Sequence, residues 1–282
     1  MKLVSYRKGA RESYGVVTRG GVVDLRKRLG HKTLRALLAA GALAEARAAA
    51  KGASPDARLG QVTLLPVVPD PDKIILVGLN YQAHRIETGR ANEPMEFPTL
   101  FTRFAQSQVG HGQPLVRPKA SDKFDYEGEL ALVIGKGGRH IAEAKAYGHV
   151  AGYACYNDGS VRDWQFHTTQ FVPGKNFPSS GALGPWLVTK DEIRDPHALT
   201  LTTRLNGTEV QRTGTDDMIF AIPRLIAYIS TFCELTPGDV ISTGTPGGVG
   251  SRRSPPLWMR PGDVVEVEIS GVGVLRNPVV AE

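Results

Sequence analysis

The sequence predicts an α+β fold that is rich in β-strands, with a small N-terminal α+β domain at residues 1–70 and a larger domain at residues 71–282. Short apolar runs bounded by turn residues recur along the chain, as is typical of buried strands. One longer segment, residues 218–235, has the apolar spacing of a helix. Three prolines between residues 66 and 71 mark the boundary between the two domains.

The composition is that of a soluble globular protein, with 41% apolar and 22% charged residues. The formal net charge is +6, but Lys and Arg are dispersed among acidic residues, which argues against nucleic acid and favours small anionic substrates. Cys155 and Cys233 lie in apolar surroundings, so we expect buried thiols and a cytoplasmic location. No apolar segment follows the N-terminal charges and no uncharged run could cross a bilayer, so we expect neither a signal peptide nor a membrane anchor.

The N-terminal domain is predicted from two periodicities. Three short apolar runs, two of them joined by the turn Gly20-Gly21, are typical of strands, and two Ala-rich stretches that each end before a glycine are typical of helices. The predicted strands are residues 3–6, 14–17 and 22–25, and the predicted helices are residues 33–40 and 42–51.

The larger domain is predicted to be built mainly from strands. Residues 73–77, 130–134 and 150–156 are apolar runs, and residues 199–205 alternate as a half-buried strand does before the turn Asn206-Gly207. Two Pro-Gly-Asp-Val turns each lead into an apolar run. These runs predict further strands at residues 241–243 and 265–269.

Acidic residues stand at the ends of two predicted strands. Glu127 and Glu129 precede residues 130–134, and side chains two apart on a strand project from the same face. Two such charges repel each other unless a divalent cation or a pair of basic side chains lies between them. Asp158 follows the strand at 150–156 and could complete a hard-oxygen site for Mg²⁺ or Mn²⁺. Spacing alone leaves open the alternative of a solvated strand end.

Three further patterns allow both a functional and a structural interpretation. His84 and Glu87 would be neighbours on a helical turn, either as a general base and its orienting carboxylate or as an ordinary surface pair. Arg103, flanked by aromatic residues, could bind a carboxylate or lie along the surface. The Gly-rich loop at residues 243–250 could bind an anion through its backbone N–H groups or form a tight turn, and it lacks the Lys-Ser/Thr of a phosphate loop.

Five segments, in order, resemble motifs of the fumarylacetoacetate hydrolase superfamily, and the resemblance extends from residue 73 to the C-terminus. The segments are Gly-x-Asn-Tyr-x-x-His with Glu three later (78–87), Asp-Tyr-Glu-x-Glu-Leu (125–130), Asn-Asp-x-Ser-x-Arg-Asp-x-Gln (157–165), Gly-Lys-x-Phe (174–177) and Thr-Gly-Thr-Pro-x-Gly-Val-Gly (243–250). The resemblance implies a mixed β-roll or β-sandwich catalytic domain and a homodimer. It also implies Mg²⁺ or Mn²⁺ held by Glu127, Glu129 and Asp158.

The same resemblance implies an enzyme that acts on small 2-oxo acids or diacids. We expect hydrolysis of a carbon–carbon bond in an acylpyruvate, such as fumarylpyruvate or maleylpyruvate, to pyruvate and a carboxylic acid in aromatic catabolism. His84, oriented by Glu87, would activate water, and Lys175 and Gln165 would stabilise the oxyanion. The candidate substrate-binding residues are Tyr81, Arg103, Arg162 and Thr245, with Arg103 standing where many members carry Lys.

Other outcomes remain open on the same site. An enolate formed there could arise by decarboxylation of oxaloacetate, or be protonated in a tautomerisation or isomerisation. The alternatives to hydrolysis are therefore a 2-oxo acid decarboxylase or an isomerase or hydratase. A further alternative is a metal-binding protein whose active site has lost its activity. The presence of all of the acid and base residues named above argues against this alternative.

Overall fold

Eighteen β-strands and seven α-helices make up the protein in a computed structural model that describes residues 1–282. The strands are β1 Lys2–Lys8, β2 Arg11–Thr18, β3 Gly21–Asp24, β4 Thr63–Leu64, β5 Ile74–Gly78, β6 Thr99–Arg103, β7 Gln108–Val109, β8 Leu115–Arg117, β9 Phe124–Asp125, β10 Gly128–Ile134, β11 Val150–Asn157, β12 Ser160–Val161, β13 Gly181–Thr189, β14 Thr200–Leu205, β15 Thr208–Gly214, β16 Val240–Ser242, β17 Val264–Ile269 and β18 Gly273–Ala281. The helices are α1 Arg26–Leu29, α2 Leu34–Ala39, α3 Leu43–Ala50, α4 Gln82–Glu87, α5 Arg162–Gln165, α6 Val172–Lys175 and α7 Ile222–Phe232.

The strands form one large mixed sheet, one five-stranded sheet and one two-stranded ribbon. The main path of the large sheet is β3-β2-β1-β13-β11-β10-β16-β5-β6, with β4 added beside β1 and β7 beside β13. The five-stranded sheet has the order β15-β14-β17-β18-β8, and β9 pairs with β12. The predicted strand-rich α+β class is confirmed.

The central strand β10 shows why the sequence has a continuous apolar run at this point. Leu130 and Leu132 belong to a core shared with the five-stranded sheet, whereas Ala131 and Val133 belong to a second core shared with the N-terminal helices. Both faces of the strand are therefore covered. A strand covered on both faces needs apolar residues at every position rather than at alternate ones.

The first 70 residues extend the large sheet and cover part of one face. β1 pairs with β2 on one side and with β13 on the other. Helix α2 begins after Thr33, whose Oγ1 accepts a hydrogen bond from the Ala36 N–H at 3.1 Å, and this contact satisfies a free backbone donor of the first turn. Leu34 and Leu37 then pack into the core beneath β10. The division at residue 70 stays a prediction.

Several elements differ from the sequence expectations. The helix expected at 218–235 is shorter, at Ile222–Phe232, and begins with a proline in its first turn. The sequence analysis missed β13, β15 and β18, because part of each has a mixed rather than a clearly alternating pattern. It also missed shorter elements, which are the strands β4, β6, β7, β8, β9 and β12 and the helices α1, α5 and α6. Cys155 is buried, which raises the pKa of its thiol to about 12, but Cys233 is only partly buried, contrary to expectation. None of the helices has the length and apolar character needed to cross a bilayer.

Four strand ends meet at one edge of the large sheet. β5 and β16 run parallel to each other, and β10 runs antiparallel to both β16 and β11. The carboxyl ends of β5, β11 and β16 therefore lie beside the amino end of β10. All but one of the five segments that resemble the superfamily include or directly adjoin these strand ends, which places most of the candidate residues at this edge.

Candidate active site

Glu127, Glu129 and Asp158 form one buried carboxylate cluster, with one oxygen of each within 4.8 Å of the others. Pairing of Gly128 with Asn157 sets the start of β10 beside the end of β11. The Asp158 N–H donates to the Glu127 carbonyl at 2.8 Å, which fixes this register across the two strand ends. The three residues are 4%, 2% and 0% exposed. The alternative of a solvated strand end is therefore wrong.

Two cations hold one side of this cluster. Lys175 Nζ lies 2.7 Å from Glu127 Oε2 and 2.6 Å from Asp158 Oδ2, and Arg162 Nη2 lies 2.6 Å from Glu127 Oε1. Burial disfavours the ionised form of Glu127, but the positive charges of Arg162 and Lys175 outweigh burial and lower the pKa of this carboxyl. Glu127 is therefore held as a carboxylate.

Glu129 has no cation partner. Its Oε2 accepts hydrogen bonds from the Ser242 hydroxyl and from the Gly244 N–H, the latter at 3.1 Å. Burial, together with the negative charges of Asp158 and Glu127, raises the pKa of the Glu129 carboxyl well above its ordinary value. Both hydrogen bonds use the same oxygen, so Oε1 remains available as a ligand.

The cluster fits a divalent cation of the hard type. Its three donors are carboxylate oxygens, which are the ligands that Mg²⁺ and Mn²⁺ prefer. Burial and the neighbouring carboxylates disfavour the ionised form of Glu129, and a bound cation would stabilise that form. Glu127, Glu129 and Asp158 are thus the residues that would hold the metal.

Arg103 lies behind the cluster and not in the cavity in front of it. Its guanidinium is fully buried, with Nη1 2.6 Å from Asp158 Oδ1 and 3.1 Å from the Gly159 carbonyl, and Nε 3.2 Å from Ser107 Oγ. A Cβ on Gly181 would lie 2.8 Å from the guanidinium carbon, so this glycine gives the cation its space. The expectation that Arg103 binds substrate is corrected: it orients Asp158.

His84 and Glu87 make the contact expected from their spacing on α4. His84 Nδ1 lies 2.6 Å from Glu87 Oε1, and Glu87 Oε2 accepts a hydrogen bond from the Gly248 N–H at 2.8 Å. His84 is only 6% exposed and lines the same cavity as the carboxylate cluster, so this is not a surface pair. A carboxylate oxygen only accepts, so Nδ1 donates to Glu87, and Nε2 is the ring nitrogen that is left without a partner in the protein.

The Gly-rich loop binds carboxylates, and these carboxylates belong to the protein itself. The N–H groups of Gly244, Gly248 and Gly250 donate to Glu129, Glu87 and Asp125, respectively. At Gly250 a Cβ would lie 1.9 Å from the Leu257 carbonyl oxygen, so no side chain fits. The loop thus ties the acidic cluster to the His84 dyad.

Asp125 has a role that the sequence analysis missed. Its carboxylate accepts hydrogen bonds from Arg162 Nε at 2.8 Å and from the Gly250 and Ser251 N–H groups at 2.8 and 2.9 Å. The residue stands in the Asp-Tyr-Glu segment, which was the available signal. Asp125 therefore joins the turn at Gly250–Arg252 to the residues around the cluster.

The remaining candidates are divided between the cavity and the core. Gln165 lines the cavity, and its Oε1 accepts from Arg162 Nη1 at 2.9 Å, which leaves its NH₂ group available. Thr245 also lines the cavity, with its hydroxyl donating to the Gly128 carbonyl at 3.0 Å. Tyr81 is 1% exposed, packs in the core and is not a lining residue, so its expected contact with substrate is corrected.

The cavity has a volume of about 300 Å³. We call its charged base the floor, formed by the lining residues Glu127, Glu129, Arg162 and Lys175 together with Asp158, which is fully buried beside them and does not itself line the cavity. Its mouth, the rim, contains residues that the sequence analysis did not identify. The rim is formed by Arg90, Phe166, Phe171, Ser251 and Arg252.

Residues 73–280 match the family profile described as fumarylacetoacetate (FAA) hydrolase C-terminal. The chain therefore belongs to the fumarylacetoacetate hydrolase family. The resemblance drawn from the five segments is confirmed by this match.

Two curated relatives from distant organisms are both named oxaloacetate tautomerase. A mitochondrial oxaloacetate tautomerase of Xenopus laevis is 46% identical over 222 residues, which cover 78% of this chain and 69% of that protein. An oxaloacetate tautomerase of Bacillus subtilis is 41% identical over 223 residues, which cover 78% of this chain and 74% of that protein.

Solved structures match over the whole chain. A putative HpcE protein from Mycobacterium smegmatis has a TM-score of 0.88 and 36% identity, covering 100% of this chain and 99% of that chain. Maleylpyruvate hydrolase from Sphingobium sp. SYK-6, in complex with manganese(II) and pyruvate, has a TM-score of 0.84 and 30% identity with the same coverage. A related structure thus binds Mn²⁺.

Proposed function

We propose that this protein is a divalent-metal-dependent tautomerase that interconverts the enol and keto forms of oxaloacetate. The observation that carries the proposal is the His84–Glu87 dyad, which leaves one free imidazole nitrogen on the cavity that contains the carboxylate cluster. The curated relatives named oxaloacetate tautomerase, at 41% and 46% identity, support the same reaction.

Ketonisation of the enol requires little more than a proton transfer. The hydroxyl proton leaves the oxygen on C2, a proton is added at C3, and the carbon–carbon double bond becomes a carbon–oxygen double bond. His84 Nε2 is the group that would accept or deliver the proton, since Nδ1 is committed to Glu87. A divalent cation held by the cluster would supply a Lewis acid for the negative charge on the C2 oxygen.

The contacts of Lys175 favour tautomerisation over hydrolysis. Its ammonium group has three N–H donors, and these meet three acceptors within 2.7 Å, on Glu127, Asp158 and Ser160. Lys175 therefore has no N–H left for the oxyanion that attack of water on a carbonyl creates. Proton transfer to an enol needs no such donor, so Lys175 can act by holding the floor in place.

Hydrolysis of an acylpyruvate is the second candidate. The Gln165 NH₂ group is free on the cavity and could donate to an oxyanion. The structural similarity to maleylpyruvate hydrolase with bound manganese and pyruvate supports the same candidate. In this case the products would be pyruvate and a carboxylic acid, as in aromatic catabolism, with Mg²⁺ or Mn²⁺ as the cofactor.

A substrate panel separates these reactions. Enol oxaloacetate, maleylpyruvate, fumarylpyruvate and acetylpyruvate would each be given to the purified protein with Mg²⁺, with Mn²⁺ or with EDTA. We expect rapid metal-dependent loss of the enol absorbance without release of pyruvate. Metal-dependent pyruvate and a carboxylic acid from an acylpyruvate would instead establish the hydrolase, and pyruvate with CO₂ from oxaloacetate would establish a decarboxylase.

The homodimer, the cytoplasmic location and the absence of a nucleic-acid partner remain predictions. The first follows from the family resemblance, and the others from the cysteine content and the dispersed charges.

A further inference from the structure

Arg252 is a cation at the rim with no acidic partner. It lines the cavity and is exposed, and no carboxylate lies within 4.0 Å of its guanidinium, whereas Arg90, the other exposed arginine that lines the cavity, has Glu93 beside it. Arg253, its neighbour, donates to the Val210 carbonyl and to Tyr126 Oη. A free guanidinium facing a substrate cavity is suited to binding a carboxylate.

The backbone that carries Arg252 is fixed relative to the floor. Arg252 ends the short 3₁₀ turn Gly250–Arg252, in which the Gly250 and Ser251 N–H groups donate to Asp125. Asp125 also binds Arg162 of the floor at 2.8 Å. One buried carboxylate therefore positions both the floor and the base of the Arg252 side chain.

The buried charges of the floor do not provide a cation for a second substrate carboxylate. The floor and its supporting side chains contain four buried carboxyl groups and three buried cations, which are Asp125, Glu127, Glu129 and Asp158 with Arg103, Arg162 and Lys175. With Glu129 ionised as a metal ligand, a divalent cation would change this sum to an excess of one positive charge, which the first substrate carboxylate would neutralise. A second substrate carboxylate has no buried cation left, so its partner must come from the rim.

We propose that Arg252 binds the distal carboxylate of a 2-oxo dicarboxylate and makes the site selective for dicarboxylates over monocarboxylates. The inference deepens the proposed function and rests on it for the identity of the substrate. Arg90 is the other rim arginine, but its Nε lies 3.7 Å from Glu93 Oε2 and so already has an acidic neighbour. Arg252 is the specificity-determining residue.

The test uses two stable ligands that differ in one group. Malate and 2-hydroxybutanoate share the 2-hydroxy carboxylate end and differ only in a distal carboxylate or methyl group. Calorimetry on the Mn²⁺-loaded protein gives the ratio of their affinities in the natural protein and in Arg252→Gln, Arg252→Lys and Arg260→Gln. Arg260 is exposed and does not line the cavity, so Arg260→Gln removes the same charge away from the site.

We expect the natural protein to prefer malate, and the preference to fall by about tenfold or more in Arg252→Gln, as for loss of a charged hydrogen bond. Arg252→Lys should keep part of the preference, and Arg260→Gln should keep all of it. No preference in the natural protein, an unchanged ratio in Arg252→Gln, or an equal fall in Arg260→Gln would overturn the inference.

A kinetic arm separates this inference from the proposed function. Arg252→Gln should raise KM for oxaloacetate while kcat stays within about twofold, since the distal contact is present in both ground and transition states. If the natural protein does not convert oxaloacetate but shows the Arg252-dependent preference for malate, the proposed function fails and the dicarboxylate site stands. If it converts oxaloacetate and Arg252→Gln leaves the ratio unchanged, only the inference fails.

Discussion

The floor and the rim belong to one cavity but are held by different means. Floor side chains are almost completely buried, and Glu127, Arg162 and Lys175 each contact an opposite charge within 2.7 Å. At the rim, Phe166 is 57% exposed and Arg252 has no acidic partner. The floor stands on strand ends and short helices, whereas the rim stands on connecting segments, one of which is the 3₁₀ turn that carries Ser251 and Arg252.

This difference indicates a division of work between chemistry and selectivity. A reacting centre must be held in one geometry by the side chains around it, which the strand ends provide. Substrate selection can be carried by loop residues that change without disturbing the sheet. Substitutions in the floor should therefore abolish or slow the reaction, and substitutions at the rim should change which substrate is used.

The largest effect on activity is expected for Glu129→Gln. The change removes a metal ligand but keeps the shape of the side chain and an oxygen for the Ser242 and Gly244 donors. We expect loss of metal-dependent turnover and of Mn²⁺ binding by calorimetry. The stability of the metal-free protein should be unchanged or higher, because no cation loses its partner. Tight Mn²⁺ binding by this variant would contradict the assignment of Glu129 as a ligand.

Glu127→Gln tests whether Glu127 and Glu129 contribute differently to the stability of the floor. Glu127 neutralises Arg162 and Lys175, so its replacement leaves buried positive charge without a partner. We expect a loss of about 3–5 kcal/mol in the free energy of unfolding, measured by urea denaturation without metal. Glu129→Gln is the matched control, since the two substitutions are the same and differ only in their neighbours. If the two variants have equal free energies of unfolding, Glu127 does not neutralise buried positive charge more than Glu129 does.

Glu87→Gln is expected to have an intermediate effect. The amide can still accept a hydrogen bond from His84 Nδ1, but it can also turn its NH₂ group toward the ring, so it no longer fixes which ring nitrogen carries the proton. We expect turnover to fall by about 10- to 100-fold, as for other partners that orient an imidazole. Mn²⁺ affinity should not change, because Glu87 contacts no residue of the floor. A fall in Mn²⁺ affinity equal to that in turnover would show that the dyad acts through the metal site instead.

The smallest effect is expected at the rim for Phe166→Ala. Phe166 is exposed and packs edge-on against Phe171 at 6.5 Å, so its loss should change stability by less than about 1 kcal/mol. KM should rise a few-fold, since the exposed ring lines the cavity. Phe232→Ala, at a residue that is 61% exposed and does not line the cavity, is the control and should leave KM unchanged.

The floor could largely be predicted from the sequence because its residues stand next to strong local patterns. Glu127 and Glu129 precede the apolar run of β10, and Asp158 follows that of β11. The strand-rich class followed from the same runs. The spacing of His84 and Glu87 on one helical turn gave their contact directly.

The other features depend on partners far away in the chain. Arg103 was expected to bind substrate, but its charge is satisfied by Asp158, which lies 55 residues later. The loop amides were expected to bind an anion, and Glu129 and Asp125 occupy two of them from more than 110 residues away. No local pattern shows such pairings. Arg252 and Arg253 both follow the Gly-rich loop, and nothing in the sequence shows which of the two lines the cavity.

The most direct test of the account is the rate at which enol oxaloacetate ketonises on the natural protein and on His84→Gln at equal Mn²⁺ occupancy. If His84 transfers the proton beside an intact metal site, the variant should bind Mn²⁺ as tightly as the natural protein and turn over about 10²- to 10⁴-fold more slowly. A variant that ketonises the enol within a few-fold of the natural rate would contradict the central claim.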